Sequence, residues 1–149
     1  MGNILNVRFF TYLHMMKRVK RFGEESPEPT KGELAVLQVL WQHGPSTVRF
    51  VHDMVNEGKE ATQYTSTLKL MQLMADKGML GRDETNMKHI YYPLLEEGGT
   101  KGHLLSKFID TMYQGSVENM MIALLGNEKT SKEDLKKMKE LLAEMEKRK

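Results

Sequence analysis

Between Thr30 and Leu94 the chain passes through three helix-length amphipathic segments, each closed by a glycine, and then through two short strand-like runs around a polar turn. That order confines the fold more than any other feature, because each element has one apolar side and can bury it only against the others. Thr30 with Glu33 three residues later forms a capping box. Leu34, Leu37, Leu40 and Trp41 then follow helical spacing until Gly44-Pro45 stops the helix. Ser46 or Thr47 caps a second helix with Val48, Val51 and Val55 on its buried face, ending at Asn56 to Gly58. A third helix is expected from Thr62 to Lys77, with Gly78 as its stop. MLGRD, a turn ETNM and KHIYYPL then read as a hairpin. Helix, helix, helix, hairpin is the order of a winged helix-turn-helix.

After residue 95 the sequence is helical throughout. Thr100 is expected to open a helix carrying Leu104, Leu105, Phe108, Ile109 and Met112 on one side, with Gly98-Gly99 as the turn before it. Ser116 caps a second with Val117, Met120, Met121, Leu124 and Leu125, and Ser131 a third with Leu135, Met138, Leu142 and Met145. Short helices of this kind are not stable alone in water. Either a partner chain covers the stripes, as the a/d-like spacing of the last helix favours, or the three close on themselves as a bundle. The fold class is therefore mainly α: an N-terminal winged helix-turn-helix over 30–95 and a helical dimerisation domain over 96–149. Residues 1–29 form a basic arm and linker in which Phe9, Leu13, Met16 and Lys20 allow a short amphipathic helix before the prolines of EESPEP. That arm reads either as a mobile extension or as a segment reaching DNA or an anionic surface, a lipid bilayer included.

Charge does not by itself announce a nucleic-acid binder. Net charge is +2, with seven basic and seven acidic residues in 30–95 and ten of each in 96–149. The argument rests on arrangement. The third helix has an outward stripe of Thr65, Lys69, Gln72 and Asp76 flanked by Ser66, with Thr62, Gln63 and Tyr64 at its N-terminal end. A recognition helix offers its N-terminal residues to base edges; hydroxyls suit several bases, and Gln can pair with adenine. Arg49 at the start of the second helix, and Arg82, Lys88 and His89 on or near the hairpin, are candidates for phosphate or minor-groove contact. Asp83 and Glu84 argue against deep insertion of the wing. The neutral charge balance and the acidic Asp76, Asp83 and Glu84 also admit another reading, a winged-helix protein-interaction module that ignores DNA.

Other chemistries find no support. The chain lacks cysteine, which removes disulfides, thiolate metal sites and a cysteine nucleophile. His14, His43, His52, His89 and His103 have no ligand spacing, so no metal or other cofactor is expected. There is no phosphate loop or nucleophile elbow, and an enzyme is not expected. No apolar run approaches the roughly 20 residues that cross a bilayer, so no membrane insertion is expected, and a cytoplasmic location fits. Most of the thirteen methionines are expected to pack in helix cores.

Four segments together resemble the penicillinase repressor family over about Thr30 to Met145. They are TKGELAVLQVLWQHGPSTVRFV, YTSTLKLMQLMADKGML from Tyr64 to Leu80, the hairpin ending Tyr91-Tyr92-Pro93-Leu94, and FIDTMYQGS from Phe108 to Ser116 with the last S-x-E-D-L helix behind it. The resemblance implies a homodimeric repressor on an inverted-repeat operator in double-stranded DNA. In the β-lactam branch it also implies release by proteolysis in the dimerisation domain, triggered by a membrane sensor protease. The matching bond here is Lys107–Phe108, with Lys107 in place of that branch's asparagine. Lys69 and Leu73 stand where threonine and arginine are commoner in the family, so its operator does not carry over. The cysteine cluster of the copper-responsive branch is absent.

Overall fold

A computed structural model describes residues 28–60, 62–85 and 87–149. Of the basic arm and linker expected over residues 1–29, residues 1–27 lie outside the described residues. Among these residues the elements are α1 (Lys31–His43), α2 (Val48–Val55), α3 (Tyr64–Asp76), β1 (Leu80–Asp83), β2 (Ile90–Pro93), α4 (Glu97–Tyr113), α5 (Val117–Leu125) and α6 (Lys132–Arg148). The fold is mainly α, a winged helix-turn-helix followed by a helical C-terminal segment. The chain divides into two compact units between Lys101 and Gly102, inside α4.

The first unit is built from its caps inward. Thr30 Oγ1 accepts from the Glu33 N–H at 3.3 Å while Glu33 Oε2 accepts from the Thr30 N–H at 3.0 Å, closing the expected capping box. Gly44 ends α1 at φ 80°, a left-handed conformation that costs glycine nothing, and its N–H donates to the Leu40 carbonyl at 2.8 Å. The buried stripe of α1 is Glu33, Val36, Leu37 and Leu40, turned slightly from the expected one. Leu34 and Trp41 are half-buried, and the Trp41 indole N–H donates to the Leu95 carbonyl at 2.9 Å. Thr47 caps α2, accepting from the Phe50 N–H at 3.2 Å. Ser46 has a different job. Its N–H and carbonyl exchange hydrogen bonds with Tyr91 at 3.0 and 2.9 Å, which ties the α1–α2 connection to the hairpin as an isolated bridge.

α3 begins at Tyr64, two residues later than the pattern suggested; its N-cap Gln63 makes no side-chain hydrogen bond, and the Thr62 hydroxyl bonds Asn56 instead. Its inward residues are Thr67, Met71 and Met74; Leu68 and Ala75 are only half-buried. Gly78, at φ 80°, turns the chain into β1. The strands pair antiparallel with Gly81 opposite Tyr92 and Arg82 opposite Tyr91. Lys88 and His89 precede β2 and do not pair within it, as the expected strand would have had them do. The Asp83 carboxylate accepts from the Thr85 N–H at 2.9 Å and hydroxyl at 2.7 Å. One apolar cluster holds the unit together, with Leu37, Leu40, Val51, Met71, Met74, Met79, Leu80, Tyr91 and Leu95 among its members. Each such side chain contributes about 1.5–3 kcal/mol by leaving water.

α4 starts at Glu97 and not at Thr100, and Gly98-Gly99 lie in its first turn, not in a connecting turn. The Glu96 carboxylate explains the earlier start. It accepts from the N–H groups of Gly98 at 3.1 Å and Gly99 at 2.8 Å, a side-chain cap for the helix. Thr100 is fully buried, its hydroxyl donating to the Glu96 carbonyl at 2.7 Å.

In the second unit Ser116 caps α5, accepting from the Asn119 N–H at 3.1 Å, and Ser131 with Asp134 forms a capping box for α6. No residue of 102–149 is buried. Within a single chain these helices therefore close no core. Leu105, Phe108, Met112, Val117, Leu124, Leu135, Leu142 and Met145 are exposed, while Leu104, Ile109, Met121 and Met138 are half-buried.

Candidate nucleic-acid interface

The outer side of α3 is polar except at Leu73. Thr65, Ser66, Lys69, Gln72 and Asp76 are all exposed, and so is Leu73, at 44% of its surface. The inner side is anchored at both ends. At the C-terminal end Lys77 Nζ lies 2.6 Å from Glu33 Oε1, joining α3 to the start of α1. Burial pushes the Glu33 carboxyl up, but the hydrogen bond from Lys77, the bonds from Thr30 and the Lys77 charge outweigh it and hold the group below the usual carboxylate value. At the N-terminal end His52 Nδ1 and Thr67 Oγ1 are hydrogen-bonded at 2.7 Å. Asn56 Nδ2 sits 3.1 Å from the same ring nitrogen and donates to the His52 carbonyl at 2.7 Å, while the Thr62 hydroxyl donates to Asn56 Oδ1. This network spans α2, the α2–α3 turn and α3, and it fixes where the front of α3 begins.

Tyr64, the first residue of α3, is held between two side chains of α2. The Arg49 guanidinium lies 4.2 Å over its ring, and the His52 ring meets it edge-on at 5.7 Å. Arg49 and Tyr64 line a cleft of about 370 Å³ together with Lys88 and His89 from the hairpin loop and with Leu68 and Tyr91. Four of the residues singled out from sequence thus surround one cavity, while Thr65, Ser66, Lys69 and Gln72 run along the exposed face of α3. Thr62 and Gln63 are exposed just before it, but the Thr62 hydroxyl is engaged with Asn56.

Arg82 stands apart from this cleft. It is ion-paired with Glu84. Its pKa is raised chiefly by a hydrogen bond with Tyr91, against desolvation and with help from the Glu84 charge. The hairpin acids are also occupied, Glu84 by Arg82 and Asp83 by Thr85, whose backbone and hydroxyl bonds lower the Asp83 pKa. Among the described residues Arg49 and Lys88 have no acidic partner, and no acid lines the cleft. The site is locally cationic although its domain is neutral overall.

Sequence reasoning did not find His52, Asn56 or Thr67. A histidine on the apolar side of α2 with a threonine on the apolar side of α3 is the only trace they leave, and each reads as an ordinary core-edge residue until the two helices are brought together. Among the described residues no cluster of His, Asp or Glu could hold a metal, and no helix is long and apolar enough to cross a membrane.

Residues 29–144 match the family model described as penicillinase repressor. The penicillinase repressor of Bacillus licheniformis is 26% identical over 128 residues, 83% of this chain and 95% of that protein. The methicillin resistance regulatory protein MecI of Staphylococcus aureus (strain N315) is 21% identical over 115 residues, 77% of this chain and 93% of that one. Among solved structures, the PcaV transcriptional regulator from Streptomyces coelicolor is 14% identical, with a TM-score of 0.39 over 80% of this chain and 82% of that one. That likeness is too loose to bear on fold or function.

Proposed function

The chain belongs to the penicillinase repressor family, a family of repressors and not of enzymes, and from that premise we propose that it represses transcription in the cytoplasm as a homodimer on an inverted-repeat operator. In this reading α3 enters the major groove, Thr65, Ser66, Lys69 and Gln72 meet base edges, and Arg49 and Lys88 take phosphates on either side. One observation carries it: α3 exposes a face that is polar except at Leu73 while both of its ends are fastened to the rest of the domain, by Glu33–Lys77 and by His52–Thr67. A helix that must be held rigid with its outer face uncovered is what groove reading needs. The uncovered apolar side chains of α4 to α6 supply the second half, since a second copy can bury them and so bring two α3 helices to two half-sites.

Selection of bound duplexes from a random pool, followed by anisotropy titration at two salt concentrations, tests the proposal. An enriched inverted repeat whose affinity falls steeply with salt supports it. Recovery of no consensus at micromolar protein counts against it. The reading as a protein-interaction module loses part of its motivation, because Asp83 and Glu84 are both engaged within the hairpin. Release by proteolysis at Lys107–Phe108 requires unwinding first, since the bond lies inside α4. Co-expression with a membrane sensor protease and blotting for the cut chain tests that step.

A further inference from the structure

The cleft between Arg49 and the hairpin loop is chemically richer than a phosphate seat. Its rim carries Arg49, Lys88 and His89, all exposed, and its floor is the buried Val48 and Tyr91 with the half-buried Leu68. A DNA phosphate is compact and hydrated; it uses cations at the rim and leaves an apolar floor unfilled. Arg49 is also arranged for more than charge. Its planar face is taken by the Tyr64 ring at 4.2 Å, which leaves the in-plane N–H edge to grip a carboxylate with two parallel bonds. A cavity of about 370 Å³ is within the ordinary range for small ligands.

We propose that this cleft is an effector site for a small aromatic carboxylate, whose anionic head meets Arg49 and Lys88 and whose flat body lies on Val48, Leu68 and Tyr91. The two cations are the ones that the operator-binding reading assigns to phosphates, so on that reading the ligand and DNA compete and the ligand acts as an inducer. By linkage, whatever factor the ligand removes from DNA affinity, DNA removes from ligand affinity.

The test uses the full chain without DNA and three probes: 2-naphthoate, the neutral 2-naphthylmethanol, and inorganic phosphate. Calorimetric titration is expected to show naphthoate binding at least about tenfold tighter than either control. Arg49→Gln and Lys88→Gln, both surface changes, are each expected to weaken naphthoate by about tenfold. Lys69→Gln, outside the cleft, leaves naphthoate binding alone. Naphthoate then displaces labelled operator at concentrations matching its own dissociation constant. Phosphate binding as tightly as naphthoate would reduce the cleft to a backbone seat. Naphthylmethanol binding as tightly, naphthoate binding indifferent to Arg49 and Lys88, or no naphthoate binding at all would each overturn the proposal. Naphthoate binding that holds while no duplex binds at any salt would fault the DNA reading and leave the effector site standing.

Discussion

The imidazole Nδ1 of His52 and the hydroxyl of Thr67 lie 2.7 Å apart where α2 meets α3, each with less than a tenth of its surface exposed. A polar pair in such a place specifies one arrangement of two helices, because sliding either helix strands a buried donor or acceptor.

His52→Ala is therefore expected to lower stability by about 1–3 kcal/mol, chiefly by leaving Thr67 unpaired. The double variant His52→Ala/Thr67→Val should lose less than the sum of the single changes. The same variants, at protein concentrations where all are folded, should weaken operator binding more than binding to unrelated DNA. Equal losses on both duplexes would mean the pair stabilises the domain without aiming α3.

The Glu33–Lys77 pair predicts an acid-side dependence of stability. The folded pKa of Glu33 is lowered from its ordinary 4.5. Its contribution is thus present above that value and is lost as pH falls through the lower folded value. Lys77 is half exposed, so Glu33→Gln should cost only about 1–2 kcal/mol at neutral pH. Thermal melts of both proteins across the acid range should converge as pH drops. Some acid sensitivity will remain, because Asp83 and Asp134 are shifted the same way by Thr85 and Ser131 respectively. A constant gap between the two proteins down to the lowest pH would contradict the assignment.

The hairpin has one position that tolerates no side chain. A Cβ on Gly81 would overlap the Tyr92 ring that lies across it from the opposite strand. Gly81→Ala should destabilise the domain by about 1–3 kcal/mol as Tyr92 is driven aside. Hydrogen exchange should show the loss concentrated in β1 and β2. A variant as stable as the parent would mean that Tyr92 has another rotamer at no cost.

The apolar side chains of α4 to α6 predict self-association. Leu142→Glu with Met145→Glu, both exposed in the single chain, should weaken the dimer by more than about a hundredfold, with helix content falling at concentrations where it dissociates. Sedimentation velocity reads this directly. A parent chain that sediments as a monomer at tens of micromolar would remove the dimer from the account.

Much of the architecture was legible because caps and stops are local chemistry. Thr30 with Glu33, Thr47, Ser116, Ser131 and the glycines at 44 and 78 all act where the pattern put them. Errors arose where a side chain reached past its neighbours. Glu96 moved the start of α4 forward over two glycines, and β2 begins only at Ile90, after Lys88 and His89. The outward stripe of α3 was readable from period alone, whereas the cleft was not. Its walls come from α2, α3 and the hairpin loop, and nothing in the spacing of Arg49, Tyr64 and Lys88 shows that they meet. Arg82 looked like a free cation for the same reason, its partners Glu84 and Tyr91 being set by the hairpin.

Because the chain has no cysteine, a single Asp76→Cys carries one tethered iron–EDTA group to the exposed end of α3. On a duplex containing the selected inverted repeat, the account predicts two equal cleavage clusters. They should be related by the repeat's two-fold axis and separated by about 10 base pairs or a multiple of that spacing. A single cluster, or diffuse cutting indifferent to the repeat, would contradict the claim that two copies of α3 read the groove together.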